Sequence, residues 1–142
     1  MIMKINNECA RKILLEIENI PYGETLTIGK LQEKMPEYPI EAVLSIVSDF
    51  NKEYFLTILD KASYDNTDVF RDHKIKGLSQ KGIKALDYIR SDKMWKRIKD
   101  KIENFDDLSI YTIIDIAYKI TNVEQNKLLG LPEDILPIKE RW

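Results

Sequence analysis

Apolar side chains recur at steps of three and four through most of this 142-residue chain, and only three short β-type runs interrupt that rhythm. The order in which helical and extended stretches follow one another therefore restricts the fold more than any other feature. From Asn7 to Asn19, Ala10, Ile13, Leu14 and Ile17 fall on one helical face, and Pro21-Tyr22-Gly23 closes it. Thr25-Leu26-Thr27 suits a short strand, and Thr27 is placed to cap a second helix that turns Ile28, Leu31 and Met35 inward. Pro36 and Pro39 bracket the next turn. Ile40, Val43, Leu44, Ile46, Val47 and Phe50 then predict a third helix in spite of their β-branched content.

Phe55 to Ala62 reads as a strand, and Asp65, Asn66 and Asp68 suit a turn. A return strand falls between Val69 and Leu78. Ser79 is a cap for a helix with Ile83, Leu86 and Ile89 inward, and Ser91-Asp92 restarts the chain at a new angle. Met94, Trp95, Ile98, Ile102 and Phe105 occupy an arc of about 100° on the following helix, opposite Lys93, Lys96 and Arg97. Asp106-Asp107 offers a cap for a long helix from Ser109 to Leu129, whose apolar positions spread over about 240°. Gly130 ends it, and Leu131 to Trp142 reads as an irregular tail.

The expectation is a mostly helical α+β chain: a winged helix-turn-helix with a two-stranded wing, followed by additional C-terminal helices. Residues 1–104 would form the winged domain with its post-wing helices, and 105–142 a helical extension. Leu78-Ser79-Gln80-Lys81-Gly82, then Leu86, Ile89, Trp95-Lys96 and Lys99, carry a resemblance. This segment resembles the Leu-Thr-Glu-Lys-Gly and Trp-x-Lys pattern that comes after the wing in the YjcQ-like winged-helix family. The resemblance covers residues 7 to 105. It implies the winged fold and a setting in phages and prophages of Gram-positive bacteria, where some related domains add a C-terminal segment like residues 106 to 130. It implies no activity and no catalytic residues.

Charge is distributed unevenly. Residues 1–70 hold 7 basic and 12 acidic side chains, residues 71–101 hold 11 and 4, and the remainder 4 and 8, for a net −2. Half of the cations thus occupy 31 residues. Arg71, Lys74, Lys76, Lys81, Lys84, Lys93, Lys96 and Arg97 are the candidate phosphate contacts of a nucleic-acid-binding face, with Arg90, Lys99 and Lys101 in the same stretch. The alternative is that these cations solvate helix faces and pair with Asp87, Asp92 and Asp100.

The third helix turns Glu41, Ala42, Ser45, Ser48 and Asp49 outward. Carboxylates repel phosphate, so base reading by this helix is disfavoured. Glu41, Ser45, Ser48 and Asp49 are instead the candidate docking face for a host or phage protein. The wide apolar sector of the last helix makes Ile110, Ile113, Ile114, Ala117 and Tyr118 a candidate homodimer interface, with internal burial as the alternative.

Enzymatic signatures are missing: there is no phosphate-binding glycine loop, no Gly-x-Ser-x-Gly, no His-Glu-x-x-His, and His73 is the only histidine. No catalytic residue, metal site or cofactor is expected. Cys9 reads as a buried or half-buried small apolar residue, His73 as a surface or wing-packing histidine, and Trp95 as core rather than a base-stacking platform. A lone cysteine, the absence of a signal-peptide pattern and an apolar run too short for a bilayer lead to a cytoplasmic expectation without a membrane partner.

Overall fold

The computed structural model describes residues 6–59 and 73–132. The chain is a mostly helical α+β protein with a small three-stranded antiparallel sheet. It divides into two compact units, Met1–Ile83 and Lys84–Trp142.

In the first unit, α1 (Asn7–Glu18) begins where the Asn6 side chain accepts from the Cys9 N–H at 3.1 Å. Ala10, Ile13, Leu14 and Ile17 are fully buried, as their spacing requires. β1 (Leu26–Thr27) is two residues long because Thr27 also serves as a helix cap. Its Oγ1 accepts from the Lys30 N–H at 3.2 Å and opens α2 (Ile28–Glu33). Ile28, Leu31 and Met35 point into the core.

α3 (Ile40–Lys52) buries Val43, Ile46, Val47 and Phe50. It ends without a glycine. Tyr54 takes the left-handed conformation at φ 62°, its N–H donates to the Asn51 carbonyl, and the Phe55 N–H donates to the Phe50 carbonyl at 3.0 Å. This is a Schellman closure, and the apolar contact that accompanies such closures is the stacked Phe50–Phe55 pair, with centroids 5.5 Å apart.

β2 (Leu56–Ile58) and β1 both pair antiparallel with β3 (Lys74–Leu78), giving the order β1-β3-β2. A bulge breaks the β2–β3 register: Leu56 faces Leu78 and Thr57 faces Gly77, but Ile58 faces Ile75. Lys76 is the extra residue. Its insertion lets Ile75 and Leu78, three apart in sequence, meet the buried Ile58 and Leu56 on one side of the sheet.

Helix α4 (Gln80–Ile89) starts as its sequence suggests, with Ser79 Oγ accepting from the Gly82 N–H at 3.1 Å. Its rotation differs from expectation: Ile83 is exposed, and the inward set is Gly82, Ala85, Leu86 and Ile89. The cause is a backbone contact, since Gly82 lies directly against the Phe55 carbonyl.

In the second unit, α5 (Asp92–Lys101) is capped by Ser91, whose Oγ accepts from the Met94 N–H. A single 3₁₀ turn, Phe105–Asp107, leads to α6 (Ile110–Leu128). The cap of α6 is Ser109, accepting from the Thr112 N–H at 3.1 Å, and not the Asp106-Asp107 pair, which is used up in the 3₁₀ turn. Trp95 meets Phe105 edge-on at 5.1 Å, and Tyr88 meets Tyr118 in the same manner at 5.4 Å. These contacts tie α4 and α5 to the 3₁₀ turn and α6. No helix among the described residues is long and apolar enough to cross a membrane.

Candidate nucleic-acid interface

In the first unit the candidate cations lie on the sheet and on the start of α4. On β3 Ile75 is buried while Lys74 and the bulge residue Lys76 are exposed, so both side chains reach solvent from the central strand. Thr57, also exposed, stands opposite Gly77 beside them. Lys81 is exposed on α4, with its Nζ 5.6 Å from the centroid of the Phe55 ring. Arg71 and the expected turn at Asp65 and Asp68 fall outside the described residues. On α3, Glu41 and Ser45 are exposed while Ser48 and Asp49 are half-buried. This face presents carboxylate and hydroxyl groups, and no cation until Lys52.

In the second unit, α5 carries five cations and two acids in ten residues. Trp95 and Ile98 are buried on one side, whereas Lys93, Lys96, Arg97, Lys99 and Lys101 are all exposed. Lys84 is exposed on α4. Some of the cations are paired: Arg97 with Glu124 of α6, and Arg90 with Asp87. Two clefts of about 280 Å³ each share the Arg97–Glu124 pair in their walls. One of them adds Lys119 and Lys127 from α6. Counting charges by region misses these two lysines because they sit in a net-acidic stretch. Their signal is periodicity: Lys119, Val123 and Lys127 succeed one another at steps of four along one face.

The residues considered for other roles are mostly interior. Ile110, Ile113, Ile114, Ala117 and Tyr118 are buried within the chain itself, at 0 to 8% exposure. This is the internal burial held open beside the homodimer interface, with the apolar sector covered by the chain's own packing. His73 is buried. Cys9 is fully buried too, and desolvation, helped by the nearby Glu37 charge, pushes its thiol up to about 11. No group of three His, Cys, Asp or Glu side chains among the described residues could hold a metal ion. In the first unit a further cleft of about 320 Å³ has Glu16, Glu24, Lys30 and Lys34 in its walls, a balanced set that selects neither sign of ligand.

The model of the family described as Hypothetical protein (DUF2513) matches residues 4–109, and the chain belongs to that family. No curated protein and no solved structure matches it.

Proposed function

We propose that this DUF2513 member is a non-enzymatic winged-helix protein of the phage or prophage type, which binds nucleic acid through phosphate contacts. The element order α1-β1-α2-α3-β2-β3, with β1 and β2 on either side of β3, supports the winged-helix reading, as does the YjcQ-like pattern from Leu78 to Lys99. The observation that carries the nucleic-acid reading is the solvent face of α5, where five cations outnumber two carboxylates over ten residues. Lys74 and Lys76 supply a second exposed basic element on the sheet. α3 offers base edges mainly carboxylates and hydroxyls, so the recognition is of backbone phosphate rather than of sequence.

Fluorescence anisotropy with a labelled DNA duplex at two salt concentrations tests this. Affinity should fall with salt by about 0.9 in log–log slope for each phosphate neutralised. Lys93→Glu combined with Lys96→Glu should reduce affinity at low salt by about tenfold or more. Unchanged binding in that variant removes α5 from the interface, and no binding by the parent chain removes the reading.

A second reading rests on α3, whose exposed Glu41 and Ser45 suit a protein surface carrying cations. It predicts a nuclease-resistant complex with a host or phage protein that is lost on Glu41→Lys. A complex indifferent to that change rules α3 out.

A further inference from the structure

The Arg97–Glu124 ion pair lies in the wall of a cleft whose other charged residues are Lys119 and Lys127. Three cations surround one carboxylate. Ile120 and Val123, both half-buried, form the apolar floor between these charged side chains. Lys119 and Lys127 stand two turns apart on α6, about 12 Å along its axis, while Arg97 reaches in from α5. Such an arrangement addresses a row of negative groups better than a single one. The guanidinium adds a planar fork that matches two oxygens of one phosphate.

We infer that this cleft binds phosphate, and that Glu124 is its internal competitor, its carboxylate paired with Arg97 where a phosphate would otherwise sit. The inference deepens the nucleic-acid reading above and rests on it for the source of the phosphates. Arg97 and Glu124 side chains are about half exposed, at 46% and 48%, so their pairing is weak and exchange for a more highly charged ligand is easy. Glu124 thereby lowers the affinity of the cleft without closing it. The basic surface of the second unit then extends from α5 onto α6.

The test is an NMR titration of the ¹⁵N-labelled full chain, once with inorganic pyrophosphate and once with a single-stranded oligothymidylate. Both should shift the amide signals of residues 119–127 and the Arg97 Nε–H. Glu124→Gln should raise affinity for each ligand by about fivefold and steepen the oligonucleotide salt slope by about one. Lys119→Ala with Lys127→Ala should weaken both. If pyrophosphate moves the cleft signals while the oligonucleotide binds nowhere, the cleft stands as a site for a free phosphate compound and the nucleic-acid reading falls. If the oligonucleotide binds along α5 while residues 119–127 stay still and Glu124→Gln changes nothing, the inference is overturned and the nucleic-acid reading survives. Failure of both ligands to move the cleft signals overturns it as well.

Discussion

The carbonyl oxygen of Phe55 occupies the place where a side chain on Gly82 would begin: a Cβ there would lie 2.2 Å from the oxygen and 3.1 Å from the carbonyl carbon. The same oxygen accepts the Ser79 N–H at 2.8 Å, so the end of α3 and the start of α4 are joined through backbone atoms that cannot yield.

Gly82→Ala should therefore destabilise the chain by about 1–3 kcal/mol, with overpacking outweighing the gain in helix propensity of about 1 kcal/mol. Gly77→Ala is the contrast, because a Cβ at Gly77 meets nothing within 4 Å and its backbone is not left-handed. Urea denaturation should show a lower midpoint for the first and little change for the second. Equal midpoints would remove the significance of the Phe55 contact.

Tyr54 should respond in the opposite direction. It holds φ 62° at the closing position of α3 and is 75% exposed, so Tyr54→Gly relieves backbone strain and gives up little packing. A stabilisation of about 0.5–1 kcal/mol by urea denaturation is expected, net of the entropy glycine restores to the unfolded chain. A loss of stability would mean that the tyrosine ring contributes more than its exposure suggests.

Cys9 should be inert in the folded protein. A thiol pushed from 9.0 to about 11 holds about 100-fold less thiolate at pH 8, before steric protection is added. Reaction with a disulfide reagent at pH 8 should thus depend on unfolding. The raised value also sets a pH dependence: the folded chain retains this proton more tightly than the unfolded chain. Its contribution to stability is complete below pH 9 and is lost as pH rises towards about 11. Fast labelling of the native protein would contradict the buried placement.

Phe105→Ala removes the edge-on partner of Trp95 and a nearly fully buried ring. The expected loss is about 3–5 kcal/mol, measured by urea or thermal unfolding. A change below about 1 kcal/mol would show that α5 is held by other contacts.

Sedimentation on the order of tens of micromolar should return the mass of one chain, near 16.7 kDa, because the apolar residues of α6 are already covered. A twofold mass would require a contact that uses none of Ile110, Ile113, Ile114, Ala117 and Tyr118.

Local features of this chain are readable in its sequence, and non-local ones are not. Thr27, Ser79 and Ser91 each act on an N–H three residues away, so their capping roles follow from neighbouring residues alone. The inward faces of α1, α2 and α3 follow from spacing. Ile83 reads as inward yet lies exposed, because the rotation of α4 is set by Phe55, a residue far away in the chain whose backbone exerts no influence on hydrophobic periodicity. The end of α3 carries no glycine to announce it, only a tyrosine accepting strain. For the candidate site, the exposed cations of β3 and α5 are legible by counting charges. Lys119, Lys127 and the role of Glu124 are not, since a regional sum conceals three cations drawn from two helices to one cleft.

The double duty of Thr27 has a consequence for behaviour at high concentration. By ending β1 and beginning α2 at the same residue, it limits that border of the sheet to two residues, Leu26 and Thr27. A margin so brief offers too few unsatisfied amide and carbonyl groups to template an incoming strand. Resistance to amyloid-like stacking along this border is thus a product of a helix cap, and it should persist in high salt, where repulsion between like-charged molecules fades.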